Sequence, residues 1–323
     1  MYSEAQNSVN ALVLLQNGHL ASGSDQGIKI WNPNNGSLIR TIKSQYGYVN
    51  SLAVLPNGFL ASGTSILIDY NIKIWNTTDA NLIKALNADK TKVNSLAVLQ
   101  NGFLASGSSD KTIKIWNTDN STLIKTLTGH ADFVVSLAVL HNGYYLASGS
   151  SLFDKTIKIW NTNNSTLIQT LTGHSATVNT LTALKKGYLA SGSEDRAIKI
   201  WNYLSGVLVR TLTGHTNAVK ALVVLKDGYL ASASLDATIK IWSTDTGRLL
   251  ATFYGRNSAS SLAVLPNGDL ASGDYAEDGS SGELKVWSTK EGFVSMRNFN
   301  QNCVGHFECN ATQSLKCLAS VCK

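Results

Sequence analysis

The stretch SGSSDKTIKIWN, Ser106 to Asn117, decides the fold because the chain writes it again. SLFDKTIKIWN follows at Ser151 to Asn161, and SGSEDRAIKIWN at Ser191 to Asn202. Seven tryptophans, Trp31, Trp75, Trp116, Trp160, Trp201, Trp242 and Trp287, stand 44, 41, 44, 41, 41 and 45 residues apart. Six close the string IKIW and the last closes LKVW. A fixed period of this length marks stacked copies of one supersecondary unit.

Each unit holds four short β-branched or apolar segments. VNSLAVL (Val49 to Leu55) leads through a PNG turn to FLASG (Phe59 to Gly63). In the next copy TIKIWN (Thr112 to Asn117) leads through TDNS to TLIKTL (Thr122 to Leu127). Asn, Gly, Asp and Ser bound every segment, which is strand and hairpin chemistry, and no apolar 3.6-residue period crosses the turns. A four-stranded sheet of this kind has two apolar faces and cannot bury either alone. Seven of them closed into a ring leave no open face, so the expected fold is all-β: a seven-bladed propeller of four-stranded antiparallel blades. It spans residues 8–300, with 301–323 as a separate cysteine-rich tail.

Three features add a resemblance. Gly-His opens units at Gly129-His130, Gly173-His174 and Gly214-His215. Asp stands six residues before Trp at Asp25, Asp69, Asp110, Asp154, Asp195 and Asp236, and a Ser recurs in the second strand of every unit. The pattern resembles the WD40 repeat family. That resemblance implies a buried hydrogen-bonded chain within a blade, carried here by three complete sets: His130, Ser148, Asp154, Trp160; His174, Ser191, Asp195, Trp201; and His215, Ser232, Asp236, Trp242. The chain also departs from the family. Asn32, Asn76, Asn117, Asn161, Asn202, Ser243 and Ser288 follow the tryptophans where the family has Asp, a change that keeps turn-forming chemistry and loses a charge. Blades 1, 2, 3 and 7 lack Gly-His, and Ser281 holds the Asp slot of blade 7, so these blades are expected to be looser.

Composition narrows the function. Net charge is +6 with only 15% charged residues, and seven of the 27 basic residues fill one repeated slot: Lys29, Lys73, Lys114, Lys158, Lys199, Lys240 and Lys285. Nucleic-acid binding needs clustered cations, so these read as solvated framework lysines and no nucleic-acid partner is expected. No apolar run reaches the ~18 residues of a membrane span. The start MYSEAQNSVN lacks a basic segment followed by an apolar block, so no signal peptide is expected and the default compartment is the cytoplasm.

His130, Asp154 and Ser148 contain the residue types of a catalytic triad, but a trio repeated at framework positions in three units is packing, whereas a nucleophile is unique and exposed. No phosphate-binding loop or metal-protease motif occurs. The expectation is a non-enzyme with no cofactor and no metal.

Function is then sought where the repeat is broken. From Ser to Trp is ten residues in blades 3, 5 and 6, but thirteen in blade 2, twelve in blade 4 and fifteen in blade 7. These extensions fall in the loops between the second and third strands and carry Ile66, Leu67, Leu152, Phe153 and Tyr275. By the family's loop arrangement, Tyr46, Tyr48 and Phe133 reach the same rim. The alternative is that such apolar residues fold down and plug the channel. Apolar and aromatic side chains on one rim point to a protein or peptide partner, and a monomer is expected.

The tail carries all four cysteines, Cys303, Cys309, Cys317 and Cys322. They are disulfide candidates with three possible pairings; Cys303, His306 and Cys309 do not have zinc-finger spacing. The tail resembles the first part of an EGF-like module. A disulfide-bonded tail would make the chain a piece of an extracellular protein and the propeller a ligand- or glycan-binding one. Finally, Ser8 to Leu15 reads as an innermost strand, so Gly292 to Phe299 is expected to supply the outer strand of blade 7, with no strand exchanged across the ring seam.

Overall fold

The computed structural model describes residues 8–43, 48–65, 71–88, 91–140, 143–275, 283–289 and 296–298. It holds seven four-stranded antiparallel sheets, each with its strands a, b, c and d in chain order. Blade 4 is typical: a is Val134–Val139, b Tyr145–Ser150, c Ile157–Asn161 and d Thr166–Leu171. In blades 1 to 6 the c–d register slips at Trp, a bulge that adds the twist a radial blade needs. The Asn after Trp earns its place in the next turn: Asn117 Oδ1 accepts the Asp119 amide at 2.9 Å and Asn161 Oδ1 the Asn163 amide at 2.9 Å.

The core lies between blades. Trp160 of blade 4 packs with Leu99, Ile113 and Leu127 of blade 3, and Trp242 of blade 6 with Leu184, Ile198 and Leu212 of blade 5. Strand b of each blade meets strand a of the next at close range. A Cβ on Gly107 would sit 2.8 Å from Val134 Cγ1, and one on Gly192 2.6 Å from Val219 Cγ1. Nearer the axis, side-chain amides reach the neighbouring backbone: Asn94 Nδ2 donates to Val134 O at 2.9 Å and Asn179 Nδ2 to Val219 O at 3.1 Å.

Among the described residues the ring closes without strand exchange. Blade 7 takes its fourth strand from Met296–Asn298, which pairs with Leu284–Trp287, and blade 1 supplies all four of its own. The seam rests on side-chain packing of Leu20 with Ala263, Leu265 and Ala271, and on Ser260 and Ser261, whose hydroxyls donate to Val9 O at 2.7 and 2.9 Å. Residues 1–7 and the tail, with Cys303, Cys309, Cys317 and Cys322, lie outside the described residues.

The reading of the strand-c lysines as solvated is corrected. Lys29, Lys73, Lys114, Lys240 and Lys285 are only 1% to 8% exposed. Alternation signals a wet face only when one face of a sheet meets water; in a propeller each blade is covered on both. Lys158, Lys199 and Lys240 direct Nζ to Thr170, Thr211 and Thr252 of strand d at 3.3, 3.2 and 3.2 Å.

Candidate functional site: the rim over blade 4

The framework chains are built as the repeat implies. In blade 4, Trp160 Nε1–H donates to Ser148 Oγ at 2.8 Å, and Ser148 Oγ lies 2.6 Å from His130 Nε2. His130 Nδ1 lies 2.6 Å from Asp154 Oδ2, which also accepts the Ala131 amide at 2.8 Å. Burial holds the His130 pKa below its usual value, so the ring is neutral, with Nδ1–H donating to Asp154 and Nε2 accepting from Ser148. Burial alone would push the Asp154 carboxyl up; bonds from Thr156, His130 and the Ala131 amide outweigh it and hold the carboxyl below its ordinary value. His174, Ser191, Asp195 and Trp201 repeat this at 2.7, 2.7 and 2.8 Å, and His215, Ser232, Asp236 and Trp242 at 2.8, 2.7 and 2.8 Å. Ser148, Ser191 and Ser232 are all 0% exposed, so no substrate reaches their hydroxyls.

Blades 3 and 7, which lack the histidine, meet the same need with the strand-c lysine. Lys114 Nζ turns onto Asp110 in blade 3, and Lys285 Nζ onto Asp274 in blade 7. Asp274 stands in strand b where other blades carry Ser or Thr, so blade 7 has a buried carboxylate that the Asp-to-Trp spacing does not reveal. In blade 1 the Asp25 carboxyl keeps one buried oxygen, Oδ1, without a hydrogen-bond partner.

The b–c loops and the d–a connections share one rim, tied by backbone bonds: Ser65 N to Tyr48 O at 3.2 Å, Ser109 N to Lys92 O at 3.0 Å and Ser151 N to Phe133 O at 3.0 Å. Over blade 4 this rim is built on Asp132, which is 6% exposed. Its Oδ2 accepts Ser151 Oγ–H at 2.5 Å and the Phe153 amide at 3.0 Å. Burial pushes the Asp132 carboxyl up, but bonds from Ser151, Phe153 N and Phe133 N and the charge of Lys111 overcome this and hold it below its ordinary value. The turn closes with the Asp154 and Lys155 amides on Ser151 O at 3.0 and 2.8 Å. The blade-4 extension is therefore a short finger pinned by Asp132 on one side and by the Asp154–His130 pair on the other.

Its tip is apolar. Phe153 is 86% exposed, Leu152 50% and the adjoining Phe133 45%. At that exposure the Phe153 ring stands in solvent and does not fill the channel. Tyr48 is also exposed but lies on blade 2, away from this group. Tyr275 is the last residue of strand b in blade 7, paired with Ser258, and not part of a loop. Tyr46, Ile66 and Leu67 lie outside the described residues. Asp132 was not singled out from the sequence; the signal available was an acid at the d–a connection of the one blade whose extension begins Ser-Leu-Phe.

Seven radial blades with a Trp–Ser bond in every one, buried in all but blade 1, define a Trp-repeat β-propeller with its variable loops on one rim. The sequence pattern of the WD domain, G-beta repeat family matches residues 2–32, 36–76, 80–117, 121–161, 165–202 and 206–243, and the chain belongs to that family. The seventh blade falls outside those matches, in keeping with its Asp274–Lys285 pair. Among solved structures, the WD40 β-propeller domain of Doa1 superposes with a TM-score of 0.77 at 25% identity, over 90% of this chain and 95% of that one. No curated protein matches the sequence.

Proposed function

We propose that the protein is a non-catalytic interaction scaffold that seats a protein or peptide partner on the rim carrying Phe133, Leu152 and Phe153. The observation that carries this reading is Phe153, 86% exposed at the tip of a loop whose base is fixed by the buried Asp132. An exposed ring on a pre-ordered loop gives an anchor without the entropy cost of ordering a floppy one. Membership of a family of repeat scaffolds supports the same conclusion, as does the burial of the serines and histidines of the Ser–His–Asp sets, which serve packing. Tyr46, Tyr48, Ile66 and Leu67 of blade 2, and Tyr275 at the end of strand b in blade 7, belong to the same proposed contact. The partner is a protein, and neither cofactor nor nucleic acid takes part.

The test is affinity capture with the wild type and with a Leu152→Ser/Phe153→Ser double variant, quantified by mass spectrometry. The variant should melt within a degree or two of the wild type and lose at least one protein that the wild type retains. Identical captured sets, or a fall in melting temperature like that of a core substitution, would count against the rim.

A further inference from the structure

In blades 3, 4, 5 and 6 the turn between strands c and d faces strand d of the blade before it. In blade 5 this turn carries Tyr203, which is 4% exposed and sits in the core between blades 4 and 5. Its ring meets Tyr145 edge-on, centroids 6.5 Å apart, in a cluster that includes Leu140 and Ile159. One blade further on, the same turn position is Thr244. The walls around it repeat the first site: Leu184 for Leu140, Tyr188 for Tyr145 and Ile200 for Ile159. With Thr244 in place of an aromatic, an open recess of about 350 Å³ remains, even though Val224 is larger than the corresponding Ala183. That volume is in the range of ligand pockets. At its mouth stand Val209 and Tyr229, 40% and 42% exposed, so the recess opens to solvent on the outer edge, away from the Phe153 rim.

We infer that this recess between blades 5 and 6 is a second docking site, which takes an aromatic side chain presented by an acidic peptide segment of a partner. The occupant follows from the chain's own template, since Tyr203 shows what the repeated walls accept. The flanking chemistry follows from Lys185, Lys186 and Arg210, which outnumber Asp227 and Asp245 around the opening. Arg210 already fixes the turn by donating from Nη2 to Asp245 O at 2.6 Å, which holds the mouth in shape.

The probe is the blocked tripeptide acetyl-Glu-Tyr-Glu-amide, followed by saturation-transfer NMR on the wild type and on Thr244→Tyr. The wild type should bind it, and Thr244→Tyr should weaken binding at least tenfold and melt higher, because its own ring fills the recess. The leucine counterpart, and a tyrosine flanked by lysines, should each bind at least threefold more weakly. A wild-type crystal soaked with the probe gives an independent reading and should show the ring against Tyr188. The proposal is overturned if Thr244→Tyr binds as tightly as the wild type, if leucine and tyrosine probes bind alike, or if the wild type and its soaked crystal take up neither.

Discussion

Across the ring seam, Val9 occupies the space that a side chain on Gly273 would need: a Cβ built there would lie 2.4 Å from Val9 Cγ1. The same Gly–Val lock recurs around the ring, with one inversion. Between blades 6 and 7 the strand-b residue is Ala233 and the strand-a residue is Ala259, both in one buried cluster. One side gains a methyl and the other loses two.

That exchange is testable as a cycle. Ala259→Val alone overpacks against the Ala233 methyl and should cost about 1–3 kcal/mol. Ala233→Gly alone should cost about 1 kcal/mol in lost packing and added chain entropy. The double variant rebuilds the Gly–Val lock, so its urea-unfolding cost should be well below the sum of the singles. Strict additivity would mean that the two alanines are not partners.

Blade 7 and blade 5 should respond to acid with opposite sign. Burial, opposed by Lys285 and reinforced by Glu283, raises the Asp274 carboxyl from 3.8 to about 6. The folded state therefore binds this proton more tightly than the unfolded state, and the stability it contributes is present below about pH 4 and lost as pH rises through 6. A shift of this size amounts to about 3 kcal/mol at most. In blade 5, bonds from His174 and the Ser175 amide overcome burial and lower Asp195 to about 2, so its contribution holds above about pH 4 and is lost as pH falls through 2. Urea titrations of the wild type and Asp274→Asn should show their stability difference falling between pH 4 and 7. A difference that is flat over this window would show that Asp274 stays ionised throughout.

The c–d turns hold residues in the left-handed region, where glycine is free of strain and other residues are not. Gly36, Gly206 and Gly247 serve blades 1, 5 and 6, but Ser121 and Ser165 adopt φ of 62° and 63° in blades 3 and 4. Ser121→Gly and Ser165→Gly should each raise stability by up to about 1 kcal/mol, read by thermal melting. A loss would mean that their side chains give more than the strain costs.

The Trp period made the propeller legible, because a 41- to 45-residue repeat with turn residues between β-branched runs leaves few other ways to bury seven sheets. The complete His–Ser–Asp–Trp sets were legible for the same reason, and so was the source of blade 7's outer strand. The lysines read as solvated because the repeat spreads them evenly, and even spacing does not say whether a strand face meets water or another blade. Asp274 was missed because it sits in strand b, not at the family's Asp position, and its partner Lys285 is eleven residues away on strand c. Of the rim, sequence pointed to Leu152 and Phe153 through the extension of one loop, and to Phe133 through the family's loop arrangement. It did not show that Asp132 fixes them, since a carboxylate that caps a turn twenty residues later leaves no local pattern.

The central claim is that the Phe153 rim meets a protein partner. Its most direct test places the photo-crosslinking residue p-benzoylphenylalanine at position 153 and, in a second protein, at Tyr254, which is 71% exposed on the outer strand of blade 6. After irradiation in native extract, position 153 should form one dominant, saturable cross-link to a single protein, suppressed by excess unlabelled wild type, and position 254 should not. Equal diffuse labelling at both positions, or no product at 153, would contradict the account.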